Sequence, residues 1–77
     1  MTLKQIKKGC FAKIVNHQND ETINLFLSQF GLLAGDSVKV IRPSILGSPI
    51  TLELQNGSRL AMRTNQAENI LVEIIEG

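Results

Sequence analysis

Residues 50–64, ITLELQNGSRLAMRT, set an Asn-Gly pair between two alternating apolar runs. No other stretch constrains the fold as tightly. Asn-Gly in this setting is the strongest short-range signal for a β-hairpin. Burial then decides the register. A two-residue turn at Asn56-Gly57 pairs Leu54 with Arg59 and Glu53 with Leu60, which mixes apolar and charged residues on both faces. A three-residue loop, Gln55-Asn56-Gly57, pairs Leu52 with Leu60, Ile50 with Met62 and Glu53 with Arg59. A slip of one residue would invert both faces, so the second register is the expected one. Such loops take a left-handed residue last, and Gly57 supplies it.

The other apolar segments are equally short, and Gly9, Gly31, Gly35, Gly47 and Gly57 fall between them. Residues 2–8, TLKQIKK, read as a short helical turn capped by Thr2, with Leu3 and Ile6 on one face and Gly9 as its stop. Residues 10–15, CFAKIV, read as a strand with Cys10, Ala12 and Ile14 inward and Phe11, Lys13 and Val15 outward. Phe11 is expected to pack under the N-terminal turn.

A polar loop, NHQND, leads to a helix capped by Asn19 or Asp20, with Asp20 and Glu21 at its positive end. Ile23, Phe26, Leu27 and Phe30 form its buried stripe. Gly31 then provides a left-handed cap. SVKVI continues as a strand with Val38 and Val40 inward. RPSILGSP is a stiff, irregular connection, NQAEN a polar turn, and ILVEII a closing strand with Ile70, Val72 and Ile74 inward. The sum is a mainly β chain: about five short antiparallel strands, one α-helix and a short N-terminal helical turn. Five short, strongly turned strands suit a small barrel that closes on itself and hides its edges.

With 77 residues, 43% of them hydrophobic and 19% charged, the chain forms one domain, 1–77, with a compact core. The apolar excess also points to a partner-facing surface. The net charge is +1, from 8 basic and 7 acidic residues, and the bases are spread out. That argues against nucleic acid, as does the absence of Trp and Tyr from any base-stacking platform. Lys4, Lys7, Lys8 and Lys13 read as solvated turn residues. One cysteine, Cys10, excludes an internal disulfide. No apolar run has the length of a signal peptide or a bilayer span. A cytoplasmic protein is expected, with any membrane role coming through a partner rather than by direct insertion.

Enzymatic chemistry is not visible. His17 has no aspartate at a motif spacing, no nucleophile elbow occurs, and the glycines are too far apart to cradle a phosphate. Cys10, His17, Asp20 and Glu21 are four potential metal ligands, but their spacing fits no zinc pattern. Their simplest reading is a buried thiol, a loop histidine and a capping carboxylate, leaving no metal site and no cofactor.

Three ordered runs carry a resemblance: L-x-x-F-G-L-x-x-G at 27–35, L-G-x-P at 46–49 and A-x-x-I-x-V at 67–72. Leu3, Ile6, Gly9, Ala12, Ile14, Val38, Val40, Leu52, Leu54, Gly57, Leu60, Ala61 and Arg63 extend it over almost the whole chain. The chain resembles the ferrous iron transport protein A (FeoA) family. The resemblance implies an SH3-like barrel and a cytoplasmic, non-enzymatic accessory protein of bacterial ferrous iron uptake. It also implies action on the membrane ferrous iron transporter FeoB through the transporter's cytoplasmic part. Relatives often carry arginines or lysines where this chain has Asn24, Ser28 and Gln29, and Asp where it has Ser48, so a basic helix contact is not available here.

Such an adaptor needs an exposed apolar patch. The corner Leu32 and Leu33 and the loop residues Pro43, Ile45, Leu46 and Pro49 are the candidates. The partner-binding set is Leu32, Leu33, Pro43, Leu46 and Pro49. Adjacent leucines at a tight corner do not both fit one small core, so Leu32 is expected to plug the barrel and Leu33 to face a partner. The alternative is a metal-responsive domain like the C-terminal barrel of iron-dependent repressors.

Overall fold

The structure, a computed structural model, describes residues 1–75. A 3-10 turn (Leu3–Gln5) leads to β1 (Phe11–Ile14), α1 (Glu21–Ser28), β2 (Ser37–Arg42), β3 (Ile50–Glu53), β4 (Arg59–Met62), α2 (Thr64–Ala67) and β5 (Val72–Ile75). The strands form one antiparallel sheet in the order β4-β3-β2-β1-β5. Its core side carries the apolar alternation: Ala12, Ile14, Val38, Val40, Ile50, Leu52, Met62 and Val72 are all buried. Leu3, Ile6, Leu27, Leu32, Ala67 and Ile70 close over that face, and no polar or charged residue is buried with them among the described residues.

The hairpin adopts the register that burial demands, with Ile50 opposite Met62, Leu52 opposite Leu60 and Glu53 opposite Arg59. Gly57 has φ +86° at the end of the three-residue loop. The Leu54 N–H donates to Ser58 O at 2.8 Å and closes it. Between β2 and β3 the ladder shifts by one residue at Ile41, so Val40 faces Leu52 but Arg42 faces Thr51.

α1 begins where its sequence signals say. The Asp20 carboxylate accepts from Thr22 N–H at 2.8 Å. Its far end is a Schellman motif: the Gly31 N–H reaches Ser28 O at 3.0 Å and the Leu32 N–H reaches Leu27 O at 3.1 Å. Gly31 has φ +73°, which costs an L-residue roughly 1–2 kcal/mol and glycine almost nothing.

Several expectations are corrected. The sheet does not close: no ladder joins β4 to β5 among the described residues. The β5 edge is instead blunted where Thr2 bridges Leu71. The N-terminal turn covers three residues rather than 2–8, because Ile6 is already extended. Thr2 does not cap it with its hydroxyl; the Gln5 side chain reaches back to accept from Thr2 N–H at 2.7 Å.

On α1 only Leu27 is fully buried. Ile23, Phe26 and Phe30 are half-covered at the core's margin, with the two rings edge-to-face at 5.4 Å. Phe11 stands on the outer face of the sheet, with the Lys39 ammonium 5.6 Å from its ring centre. NQAEN is not a bare turn, since Asn65, Gln66 and Ala67 belong to α2 with Glu68 as its C-cap, and Ala67 is completely buried. Ile74 has core-side parity opposite Ala12 yet is 57% exposed, because β5 is an edge strand and nothing described covers that end.

Candidate functional site

The two candidate leucine sites are built quite differently. At the corner between α1 and β2, Leu32 occupies the position where a Schellman motif makes its apolar contact with the last helical turn. It and Leu27 are both buried in the core. Leu33 follows in the turn and is 64% exposed. The turn is held from both sides by Asp36, whose carboxylate accepts from Leu33 N–H and whose own N–H donates to Leu33 O, each at 3.0 Å. Leu33 is therefore fixed in an outward position, while Leu32 is unavailable to any partner.

The connection between β2 and β3 is a tight hairpin of its own. Ser48 N–H donates to Ile45 O at 3.0 Å. Between them Leu46 has φ +53° and Gly47 φ +80°. Two consecutive positive φ values mark a type I′ turn, which normally holds Asn-Gly or Gly-Gly. Leu46 is a non-glycine at a left-handed apex and is completely exposed. Neither burial nor backbone preference explains a leucine there.

Three hydroxyls brace this apex. Ser48 Oγ accepts from Ile45 N–H at 3.0 Å and donates to Ile45 O at 2.7 Å. Ser44 Oγ donates to Ser48 O at 2.7 Å and shares a short hydrogen bond with Thr64 Oγ1. With the Ser44 proton on Ser48 O, Thr64 Oγ1 donates to Ser44 Oγ and stands 3.2 Å from Ser48 O. The loop is thereby tied to the first residue of α2. Pro43 is half-buried at its base, Pro49 is exposed on its return, and Ile45 is 62% exposed beside Leu46.

The candidate residues do not form one patch. Leu33 precedes β2 and the loop follows it, so they lie at opposite ends of a six-residue strand, roughly 17 Å apart along the sheet. The bracing pair Ser44 and Thr64 was not readable from sequence, since twenty positions separate them. The signal that was present is Leu46-Gly47 itself, a turn-position leucine before glycine. Leu25, outside the helix stripe, is also 68% exposed.

The potential metal ligands are not brought together. Cys10 is half-buried against the core, His17 is exposed in its loop, and the Asp20 carboxylate is engaged as the helix cap. Among the described residues no three His, Cys, Asp or Glu side chains are placed to hold an ion. No helix among them is long and apolar enough to cross a membrane.

A profile of the FeoA domain matches residues 1–74. The chain belongs to the FeoA family. The solution structure of the FeoA protein from Chlorobium tepidum is 36% identical with a TM-score of 0.76, covering 100% of this chain and 72% of that one. The zinc complex of Stenotrophomonas maltophilia FeoA is described as a procaryotic SH3 domain protein and candidate ferrous iron transport activating factor. It is 21% identical with a TM-score of 0.68, covering 95% of this chain and 89% of that one. A manganese-dependent transcriptional repressor bound to manganese superposes with a TM-score of 0.77 at 13% identity, covering 97% of this chain and 36% of that one, and shares the fold alone. No curated protein sequence matches the chain.

The three runs that carry the family resemblance divide on the structure. The run at 27–35 is the Schellman corner, and that at 67–72 is the crossing from α2 into β5 with Ala67, Ile70 and Val72 buried. Both are explained by folding. The run at 46–49 is the exposed loop apex, which folding does not explain.

Proposed function

We propose that the chain is a cytoplasmic, non-enzymatic accessory protein of bacterial ferrous iron uptake, working by contact with the cytoplasmic part of the membrane transporter FeoB. Membership of the FeoA family carries this reading. The Ile45-Leu46 tip supports the mode of action, since two adjacent large apolar side chains stand in water and Leu46 holds a left-handed conformation that leucine resists. Leu46 and Leu33 are the contact residues, with Pro43 and Pro49 shaping the loop and Leu32 holding the corner from behind.

The test is whether the chain co-purifies with the ferrous transporter from its own cells, and whether Leu46→Glu and Leu33→Glu abolish that association and slow ferrous uptake. Folded variants with undiminished association and uptake would overturn the interface. The metal-responsive alternative rests on likeness of fold, and ferrous titration under anoxia separates the two: a micromolar site favours metal response.

A further inference from the structure

The exposed apolar loop sits on the basic end of the molecule. β2 ends in Arg42, next to the loop, and Arg63 directly precedes Thr64, whose hydroxyl bonds the loop. Lys7 and Lys8 are brought to the same end, because Gly9 N–H donates to Val40 O at 2.8 Å. All four bases are exposed. The described acids lie elsewhere. Asp20, Glu21 and Asp36 are at the opposite end, beyond Ile14 and before Ser37. Glu53 and Glu73 are within the sheet, opposite Lys39 and Lys13, and Glu68 is paired with Lys4 at 2.7 Å. Among the described residues the charges are thus uneven along the strands: four bases and no unpaired acid lie around Ile45 and Leu46, while Asp20, Glu21 and Asp36 lie at the other end together with Lys13 and Arg59.

We propose that this end of the chain, when not engaged by the transporter, docks directly on an anionic bilayer surface, with Leu46 and Ile45 entering the headgroup layer and Arg42, Arg63, Lys7 and Lys8 facing acidic lipid. Apolar side chains within a basic ring are the combination that interfacial binding requires: burial gives depth and charge selects anionic lipid. The brace by Ser44, Ser48 and Thr64 suits this use. A loop already fixed in its inserted shape loses little conformational entropy on docking. The sequence assigned any membrane role to a partner; charge placement adds a contact of the chain's own.

The test is co-sedimentation of the full chain with vesicles of phosphatidylglycerol and phosphatidylcholine, against phosphatidylcholine alone, without any transporter. Failure here therefore leaves the transporter contact standing, and success does not depend on it. Binding is expected on anionic vesicles only, and it should weaken steeply with salt. Leu46→Asn keeps a residue that tolerates the left-handed apex but removes the apolar tip, and should lower partitioning about tenfold. Arg42→Gln with Arg63→Gln should lower it roughly tenfold or more. Leu33→Asn, at the other end, should leave it unchanged. The proposal is overturned if the folded chain stays in the supernatant, as it would were the basic end made for an acidic protein. Equal binding to neutral vesicles, or unchanged binding of Leu46→Asn, also overturns it.

Discussion

The corner at Leu32-Leu33 and the loop at Ile45-Leu46 each place a branched apolar pair in a tight turn, and they resolve the conflict in opposite ways. At the corner the special backbone conformation falls on Gly31, so the leucines keep ordinary geometry and one of them enters the core. In the loop the left-handed conformation falls on Leu46 itself, and neither Ile45 nor Leu46 is buried. The first arrangement serves stability. The second sacrifices some stability to hold an apolar side chain in water, a cost that the proposed contact would account for.

The sharpest break between them comes from truncation. Leu32→Ala should destabilise by about 2–5 kcal/mol, since its side chain is buried in the core, lowering Tm by roughly 4–8 °C per kcal/mol in a chain this small. A thermal melt giving less than a few degrees would mean that the corner is not part of the core. Gly31→Ala should cost on the order of 1 kcal/mol. The cost comes from backbone conformation alone, because a Cβ built at Gly31 meets nothing within 4 Å. A larger loss in chemical denaturation would reveal a clash that the geometry does not contain.

The loop should behave otherwise. Thr64→Val removes one hydroxyl of the brace and should cost about 1 kcal/mol, with amide exchange accelerated at Ser48 and not at Leu33. Leu46→Asn should raise stability by about 0.5 kcal/mol, because Asn tolerates the left-handed region that leucine resists. A melt showing destabilisation would mean that the apex leucine packs after all. Leu33→Asp should fall within about 0.5 kcal/mol of the parent, and a large loss would abolish the distinction between the paired leucines.

What could be read in advance follows the strength of the physical constraint. The hairpin register was legible because any other pairing of Ile50, Leu52, Leu60 and Met62 exposes apolar residues or buries charge. Asp20 and Gly31 were legible because helix ends need those residue types. α2 was not, since a four-residue helix anchored by Ala67 alone has no periodicity. Phe11 and Ile74 were misplaced for a related reason: strand parity gives a face but not what covers it. The candidate site was half legible. Leu32 as the plug of the corner and Leu33 as its exposed neighbour were legible, but Leu32 does not belong in a contact set, the exposure of Leu46 was open, and parity and composition carry no information about which end of β2 each occupies. The uneven placement of charge that matters most for the loop end was hidden by bases that are scattered along the chain.

The one-residue shift at Ile41 has a consequence for how this chain tolerates change in length. In a regular strand Arg42 would share a face with Val40 and point into the core. The extra residue turns it to Thr51's side, where it is exposed. Removing residue 41 would only straighten the ladder, because Arg42 would then follow Val40 directly, still opposite Thr51 and on the outer face. Removing one residue from the Gln55–Gly57 turn would likewise leave a two-residue connection, with Leu52 still opposite Leu60. A single-residue deletion scan should therefore show position 41 as the most forgiving point of β2, whereas deletion at Val38, Lys39 or Val40 would turn buried residues to the other face.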